Sequence, residues 1–377
     1  MKKILFIVNV DWFFASHRLS IAIEAISQGY EVHIATTVTD KLDLLEQSGL
    51  IVHNLDVHRS RAGILILSEL WSFFSIIKDV RPDIVHLVTI KPVLLGGIAA
   101  RLAGVPALVS AVSGLGIVFS SNNLKYKLLR QALYPFYFLA FRHKNQKVIF
   151  QNNDDLRSLL NWGVVSDRKS ILIHGSGVDL NAYSYLPEPK GIPVISFAAR
   201  LLVDKGVEVF VKASEILQKR KINARFWLIG EPDLGNINTV TEKQLRNWES
   251  AGLVELFGYR EDVSNLFSKS NIVALPSFYG EGLPKVLIEA AACGRAVITT
   301  DHPGCRDAIE LNKTGMLVPT RDAVALANAI SFLLENSALR NDMGKSGRKR
   351  AEDIFDVRQI VAEHIHIYEK LLEEVGS

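Results

Sequence analysis

The chain has few of the residues that build disulfide frameworks and metal clusters. Its 377 residues include two cysteines, Cys293 and Cys305, and three methionines. Two cysteines provide neither a disulfide framework nor the paired spacing of a zinc site. We therefore expect both thiols to be reduced, as is usual in the cytoplasm.

The chain also lacks a strong excess of charge and a long uncharged apolar run. Lys and Arg number 43 against 40 Asp and Glu, which gives a formal net charge of +3. That charge is too small to indicate a nucleic-acid partner. No apolar run reaches the roughly 20 residues that a membrane-spanning helix needs. The sequence thus predicts neither a nucleic-acid-binding protein nor an integral membrane protein.

What the chain does have is a repeated alternation of short apolar strands and helices. Ile4 to Val10 and Val194 to Ala199 have the pattern of buried strands, and Arg18 to Gln28 and Val207 to Lys219 that of the helices that follow. Apolar strands joined by helices are typical of parallel sheets covered on both faces. Two such series predict an α/β fold of two Rossmann-like domains that face each other across a cleft.

The boundary between the domains is predicted by a stretch rich in proline. Residues 184–191 contain two prolines and a glycine with few apolar residues, which is typical of a linker. We therefore expect an N-terminal domain in 1–183 and a C-terminal domain in 192–357. Residues 358–377 predict an amphipathic helix that is able to pack back on either domain, the N-terminal one in our prediction.

Two carboxylates separated by seven residues form the most informative motif. Glu281 lies in a glycine-flanked loop, and Glu289 lies in an apolar run that predicts a buried helix opening near Leu283. A buried carboxylate is costly unless it is paired or binds a ligand. The N–H groups at a glycine-rich helix start can bind an anion. A ligand with phosphates and hydroxyls would satisfy these features, and an ion pair of Glu289 with a nearby Lys or Arg is an equally open alternative.

A second motif follows the predicted strand that opens the C-terminal domain. Arg200 and Lys205 lie on one strand-to-helix loop, and Gly206 lets the chain turn into the next helix. Two cations on such a loop suit a diphosphate, although an ordinary solvated loop is the alternative. Because both motifs lie at carboxyl ends of strands in one predicted domain, we interpret them as parts of one site.

These motifs resemble those of the retaining glycosyltransferases of family 4, which have the two-domain GT-B fold. The matching residues are Arg200, Lys205, Gly206, Pro276, Ser277, Glu281, Gly282 and Glu289. Residues 258–262 are similar to the family's base-binding turn, and 174–179 to its segment before the linker, with differences. The resemblance covers nearly the whole chain.

The resemblance implies a role for each donor-side residue. Arg200 and Lys205 would hold the two phosphates of a nucleotide-sugar donor and stabilise the leaving diphosphate. Glu289 would accept hydrogen bonds from the ribose hydroxyls. Glu281 would hold the sugar and its anomeric region, together with the backbone of a short segment: Gly282, Leu283 and Pro284.

The resemblance also implies a turn that binds the donor base, and it implies that no metal or other cofactor is needed. Gly258 and Tyr259 lie in the turn that would bind the base. The sequence has no spaced carboxylate pair suited to Mg²⁺, because Asp154 and Asp155 are adjacent and fit a helix cap better.

The first half departs from the common family pattern. The usual glycine pair after the first strand is absent, and so is the usual His after the fourth strand, where residues 110–116 stand instead. The backbone at Gly114 can still approach the sugar. His17 is our candidate for the missing acceptor-side catalytic residue, with a helix-capping histidine as an equally open alternative. His86 fits a packed histidine at a strand end.

Residues 11–18 and 112–116 resemble a bacterial subgroup of the family. Its members add N-acetylgalactosamine or a related N-acetylhexosamine to an undecaprenyl-diphosphate-linked sugar. This resemblance implies a UDP-sugar donor, a polyprenyl-diphosphate-linked sugar acceptor, and a role in polysaccharide assembly such as that of O-antigen or capsule.

Residues 123–144 mix bases with aromatic residues. Such a helix can lie on an anionic membrane surface, so we expect a cytoplasmic protein that is peripheral on the inner face of the cell membrane. The alternative is a core helix with charged ends, kinked at Pro135.

Two alternative functions and the choice between two reaction mechanisms stay open. A nucleotide-sugar 2-epimerase also has two Rossmann-like domains, and a non-catalytic subunit could bind lipid or a nucleotide sugar. For the transferase we favour a front-face displacement that retains the anomeric configuration. A double displacement through Glu281 is the alternative.

Overall fold

The computed structural model describes residues 1–55, 65–120 and 123–376. The chain divides into two compact units, Met1–Ser176 together with Val357–Ser377, and Gly177–Asp356. Each unit is built on a wholly parallel sheet, as the alternation of strands and helices predicted.

Seven parallel strands form the sheet of the first unit in its described residues. They are β1 (Lys3–Val10), β2 (Glu31–Thr37), β3 (Ile51–Asn54), β4 (Ile84–Val88), β5 (Ala107–Val112), β6 (Gln146–Phe150) and β7 (Ser170–Leu172). Their order is β3-β2-β1-β4-β5-β6-β7. The chain runs outward from β1 in one direction and restarts at β4 in the other, so the switch point lies between β1 and β4. Ligands of open α/β sheets bind outside the strand ends at such a point.

Helices cover both faces of this sheet, and separate apolar clusters lie on each face. They are α1 (Asp11–His17), α2 (Leu19–Ser27), α3 (Leu42–Gln47), α4 (Leu65–Val80), α5 (Gly97–Ala103), α6 (Ile117–Ser120), α7 (Leu124–Ala140) and α8 (Asn153–Asn161), with a π-helical turn at Pro92–Gly96. The side chain of Asn123 caps α7 by accepting from the Lys125 N–H at 3.0 Å. A Cβ on Gly97 would lie 3.0 Å from the carbonyl oxygen of Ala140, so a glycine lets α7 pack closely there.

The described residues of the second unit form a six-stranded parallel sheet. Its strands are β8 (Val194–Ala198), β9 (Arg225–Ile229), β10 (Glu255–Gly258), β11 (Ile272–Leu275), β12 (Ala296–Thr300) and β13 (Gly315–Val318). Its helices are α9 (Val207–Lys219), α10 (Glu242–Ser250), α11 (Val263–Ser268), α12 (Lys285–Ala292), α13 (Ala323–Glu335) and α14 (Ser337–Arg350). The strand order β10-β9-β8-β11-β12-β13 puts the switch point between β8 and β11.

The last helix, α15 (Val357–Gly376), belongs to the first unit and packs on the face that carries α2. Ile360, Tyr368 and Leu371 are buried in the apolar cluster of that face. The Tyr368 hydroxyl lies 2.6 Å from Nδ1 of the buried His86. No helix among residues 1–55, 65–120 and 123–376 combines the length and the apolar character needed to cross a membrane.

The boundary between the units differs from the one expected. It falls after Ser176 rather than after residue 183, and the expected linker at 184–191 belongs to the second unit. Glu188 of this segment is largely buried, and its Oε2 lies 2.8 Å from Nη2 of the equally buried Arg340. The prolines therefore mark an extended segment that packs on the second unit.

Helix α12 begins two residues later than expected, at Lys285. Pro284 is its N-cap residue in an extended conformation. The residue before a proline is sterically disfavoured in the α region, so Leu283 cannot easily open the helix.

Candidate functional site

The loop after β8 and the loop after β11 meet at the switch point of the second unit. A 3₁₀ turn, Val203–Lys205, leads from β8 into α9 through Gly206, which has φ +82°. A Cβ on Gly206 would lie 2.1 Å from the carbonyl oxygen of Pro276. Only a glycine therefore permits this approach, and it brings together the two motifs that the sequence analysis interpreted as one site.

The contact joins Lys205 to Glu281. The Lys205 ammonium lies 2.5 Å from Oε2 of Glu281, and the two side chains are only 13% and 15% exposed. The Ser277 hydroxyl donates to the other carboxylate oxygen at 3.1 Å. The Lys205 ammonium also lies 5.6 Å from the centre of the Tyr279 ring. A largely desolvated ammonium held by a carboxylate is a strong anion site once the carboxylate turns to another partner.

The glycine-flanked loop around Glu281 packs against the segment that follows β12. A Cβ on Gly304 would lie 2.5 Å from the carbonyl oxygen of Gly282, so the two backbones touch. Burial raises the pKa of the adjacent Cys305 thiol to about 12, and the negative charge of Glu281 adds to the shift. The thiol is therefore protonated and unreactive at neutral pH.

Glu289 is buried on α12 and has protein partners. Its Oε1 lies 3.5 Å from the ammonium of Lys285, one helical turn earlier. The Tyr183 hydroxyl hydrogen-bonds to the same carboxylate, and burial together with this negative charge raises the pKa of Tyr183. The ion pair left open by the sequence is thus present. Its length of 3.5 Å leaves the carboxylate able to accept further hydrogen bonds.

The N-terminus of α12 lies directly after Glu281, Gly282 and Leu283. Pro284 provides no side-chain cap, so no side chain at the N-cap position satisfies the first N–H groups of this helix. The N–H groups and the dipole at a helix N-terminus attract an anion or a partial negative charge. The predicted sugar-holding backbone therefore lies where negative charge is stabilised.

Arg200 lies on the same loop as Lys205 but forms an ion pair with a different carboxylate. Its Nη1 lies 2.5 Å from Oδ2 of Asp233, which follows β9. The Arg200 side chain is 39% exposed, so this pair contributes little to stability and can be exchanged for a ligand phosphate. Asp233 was not identified in the sequence.

The predicted base-binding turn follows β10, next to the loop after β9. Gly258 has φ +62°, and its carbonyl oxygen accepts from the Gly230 N–H at 2.8 Å. The Tyr259 N–H donates to Glu231 at 3.2 Å, while the Tyr259 ring is exposed. An exposed aromatic ring on an anchored turn is suited to stacking on a planar base.

In the first unit, His17 is the last residue of α1 and not at a helix start. Its ring stacks on Phe13 with centroids 4.1 Å apart, and Nδ1 lies 3.1 Å from the Phe13 carbonyl oxygen. Arg18 is buried and donates to the His17 carbonyl at 2.9 Å. His17 is thus a half-buried histidine near a helix C-terminus.

Asp11, at the start of α1, was missed as a structural anchor. It is buried and accepts hydrogen bonds from the Thr39 N–H at 2.7 Å, the Thr39 hydroxyl at 2.5 Å and the Lys41 N–H at 3.0 Å. Burial alone would raise the pKa of Asp11, but these hydrogen bonds outweigh it and lower the pKa. The carboxylate thereby joins the end of β1 to the end of β2.

Gly114 lies in the loop after β5 and has φ +110°, which only glycine adopts readily. The loop around it belongs to the first unit. Its possible approach to a donor sugar stays a prediction.

Two parallel-sheet units, with a cationic loop and the pair Glu281 and Glu289 in the second, are the arrangement expected of a glycosyltransferase with the GT-B fold. Comparison with known families agrees. A model for glycosyl transferase 4-like domains matches residues 3–152, and a model for glycosyl transferases group 1 matches residues 185–350. The chain belongs to the family 4 glycosyltransferases, so the predicted family and GT-B fold are confirmed.

Similar proteins are bacterial sugar transferases. The N,N'-diacetylbacillosaminyl-diphospho-undecaprenol alpha-1,3-N-acetylgalactosaminyltransferase of Campylobacter jejuni is 28% identical and covers 84% of this chain and 85% of that protein. The UDP-Gal:alpha-D-GlcNAc-diphosphoundecaprenol alpha-1,3-galactosyltransferase of Escherichia coli is 25% identical, with 77% and 76% covered. The crystal structure of Anabaena HepE with UDP and glucose has a TM-score of 0.77 at 19% identity, with 98% and 100% covered. That structural similarity shows the fold.

Proposed function

We propose that this chain is a retaining glycosyltransferase acting in the assembly of surface polysaccharide repeat units such as those of O-antigen or capsule. It transfers an N-acetylhexosamine, such as N-acetylgalactosamine, from a UDP donor to an undecaprenyl-diphosphate-linked sugar. The observation that carries the donor half is the contact of Lys205 with Glu281 beside the N-terminus of α12. The printed activities of the Campylobacter jejuni and Escherichia coli relatives support the acceptor class.

The donor is bound in the second unit by exchange of ion-pair partners. Lys205 and Arg200 leave Glu281 and Asp233 for the donor diphosphate, which is a stronger anion than either carboxylate. Glu281 then accepts from the sugar hydroxyls. The cations and the helix terminus neutralise the phosphates, so this proposal requires no metal ion.

The ribose and the base have separate contacts. Glu289 accepts hydrogen bonds from the ribose hydroxyls, and the turn at Gly258 and Tyr259 binds uracil. The exposed Tyr259 ring and the anchored backbone of the turn support this assignment.

The transfer step exchanges one bond at the anomeric carbon. The bond to the diphosphate oxygen breaks and a bond to the acceptor hydroxyl oxygen forms on the same face, through an oxocarbenium-like state. The acceptor proton goes to the departing diphosphate oxygen, so the anomeric configuration is retained. Lys205 and the N–H groups at the start of α12 stabilise the charge that develops on the leaving group. In this proposal His17 is the acceptor-side residue.

The enzyme works at the anionic cytoplasmic face of the inner membrane. On α7, Leu124 and Leu128 are one turn apart and exposed, and Lys125 and Lys127 are exposed beside them. Apolar residues that enter the headgroup boundary and bases that meet anionic lipid are the two components of interfacial binding.

The transfer reaction is tested with a panel of UDP-sugars and a prenyl-diphosphate-linked N-acetylhexosamine, with mass spectrometry of the product. We expect one disaccharide product with the donor's anomeric configuration. Glu281→Ala lowers the rate by roughly 10²-fold or more, and the exposed Glu215→Ala on α9 has no effect. An epimerised UDP-sugar formed without acceptor would instead identify a 2-epimerase. If the protein neither binds nor turns over any nucleotide sugar, the proposal that it is an enzyme is refuted.

Membrane binding is tested separately by flotation with vesicles that contain anionic lipid. We expect the protein to float with these vesicles and less with neutral ones. The double variant Lys125→Glu/Lys127→Glu should lose flotation. The matched variant Lys345→Glu/Lys349→Glu changes the net charge equally at two exposed positions of α14 and should retain flotation. Equal loss in both variants would contradict a specific role of α7.

A further inference from the structure

Three side-chain oxygens at the switch point of the first unit are buried without a hydrogen-bond partner among the described residues. They are Oδ1 of Asn9, Oγ1 of Thr89 and Oγ of Ser113. These residues stand at or just after the carboxyl ends of β1, β4 and β5, which are adjacent in the sheet. A buried polar atom without a partner destabilises a protein, because it has lost its hydrogen bonds to water and gained none in return. Three such atoms in one row indicate a ligand that provides the missing partners.

The backbone at Thr89 adds a second, independent observation. Thr89 has φ +70°, which is a genuine outlier for a β-branched residue. Its carbonyl oxygen accepts from the Val93 N–H at 3.0 Å and so leads into the π-helical turn Pro92–Gly96. Strained residues and π turns persist mainly where they position a functional group.

An apolar groove begins at the same two loops. Ile90 follows Thr89, and Leu115 comes two residues after Ser113; both line a groove of about 280 Å³. Its other walls come from α4, the π-helical turn and α7, among them Leu94, Leu133 and Phe136. The hydrogen-bonding oxygens and the apolar surface are therefore adjacent parts of one region.

A positive charge lies where the polar and apolar parts join. Lys91 lines the groove two residues after Thr89. Its ammonium lies 2.6 Å from Oε1 of Glu69, which is buried on α4. The loop thus presents the Thr89 hydroxyl first and the Lys91 ammonium next, and the apolar groove lies beside Lys91.

We propose that this region is the acceptor site and that it binds a lipid carrier in a fixed orientation. This assignment of the acceptor site rests on the proposed function. The oxygens of Asn9, Thr89 and Ser113 bind hydroxyls of the acceptor sugar after rotation of their side chains. Lys91 meets the diphosphate, and the groove takes the first isoprene units of the lipid. The matching order of sugar, diphosphate and hydrocarbon supports this occupant over a free, water-soluble sugar.

The groove is tested by the length of the lipid. Acceptors with the same diphosphate-linked N-acetylhexosamine on a propyl or a farnesyl chain are compared by calorimetric binding and by KM. We expect the farnesyl compound to bind at least tenfold more tightly, because its extra hydrocarbon leaves water. Leu133→Gln should remove most of this difference. Leu139→Gln, on the exposed side of the same helix, should not change it.

The oxygens are tested by removing the hydroxyls. Thr89→Val and Ser113→Ala should raise the KM for the acceptor three- to tenfold without lowering the melting temperature, because no internal hydrogen bond is lost. Thr37→Val is the control, since its hydroxyl donates to the Leu55 carbonyl at 2.9 Å. That variant should lower the melting temperature and leave the acceptor KM unchanged.

Two outcomes would overturn the proposal. One is equal binding of the propyl and farnesyl acceptors. The other is an unchanged acceptor affinity in both Thr89→Val and Ser113→Ala. Absence of sugar transfer to either acceptor would refute the proposed function instead. Calorimetry would still decide the acceptor site, because binding needs no turnover.

Discussion

At the scale of single residues, the Lys205 ammonium has two alternative partners. It pairs with Glu281 in this structure, and a donor phosphate competes for the same ammonium. Both side chains are largely buried, so either group is unfavourable alone. The residue therefore links the stability of the loop to the binding of the donor.

This link is tested by removing one partner and then both. Lys205→Met should lower kcat/KM by roughly 10²–10³-fold through loss of leaving-group stabilisation. It should also destabilise the fold, because the largely buried carboxylate of Glu281 loses its cationic partner. The double variant Lys205→Met/Glu281→Gln should regain stability in urea unfolding without regaining activity. Recovery of activity in the double variant would contradict a role for Lys205 in binding the donor.

A second prediction concerns Gly206. Gly206→Ala should lower the free energy of unfolding by about 1–2 kcal/mol for left-handed strain. The clash with Pro276 adds about 1–3 kcal/mol for overpacking. Gly252→Ala has a similar φ of +67°, and the atom nearest to its new Cβ is Nε2 of Gln218 at 3.9 Å, which is an ordinary contact distance, so it should show the strain alone. Equal losses in the two variants by urea unfolding would disprove the close approach of the loops.

The chemistry-bearing residues could be predicted from the sequence because they lie in short motifs. Arg200, Lys205 and Glu281 follow recognisable strands within a few residues, and Glu289 lies on the helix that comes next. Their partners could not be predicted in this way. Asp233, Tyr183 and Gly304 come from distant segments, and only the packing of the sheet brings them near the motifs.

At the scale of elements, α15 brings titratable groups into an apolar layer. His364 and Tyr368, one turn apart, are fully buried against His86 of β4 and the guanidinium of Arg18. Burial lowers the pKa of His364 to about 3, and the positive charge of Arg18 adds to the shift. The pKa of His86 is lowered for the same reason.

This burial predicts a loss of stability in acid. The folded protein keeps His364 neutral, whereas the unfolded chain takes up a proton near pH 6.5. The contribution of neutral His364 to the free energy of unfolding is therefore fully present above about pH 6.5, and it is lost as the pH drops towards 3. His364→Leu should reduce the slope of melting temperature against pH between pH 6.5 and 4. The control His366→Leu, exposed on the same helix, should not. An unchanged slope in His364→Leu would contradict this assignment.

The central elements were predictable and the peripheral ones were not. The buried strands β1, β4 and β8 have continuous apolar runs because helices or loops cover them. Three edge strands were missed because they are short and their apolar signal is weak: β3, β7 and β13. The edge strand β10 is predicted by the apolar pattern of residues 254–257. The apolar pattern of residues 93–103 predicts one continuous helix, whereas the structure has a π-helical turn followed by α5, because apolar periodicity does not reveal a change of hydrogen bonding.

At the scale of the whole molecule, the first unit is discontinuous. Residues 357–377 complete an apolar layer formed by the first 176 residues. Removal of these residues would uncover His86 and Arg18. A chain ending at Asp356 should therefore lose protection from hydrogen exchange throughout the first unit. It should keep protection in the second, whose core is separate. Full protection of β1 and β4 in the shortened chain would show that the helix is dispensable.

The return of α15 to the first unit also fixes an order of events during synthesis. The ribosome releases the first 176 residues long before it makes the helix that covers their sheet. Domains usually mature from the N-terminus onward. Here the second unit is complete earlier in translation than the first. Until α15 is made, part of the apolar surface on the face that carries α2 stays exposed to water, and exposed apolar surface makes a nascent chain prone to aggregation.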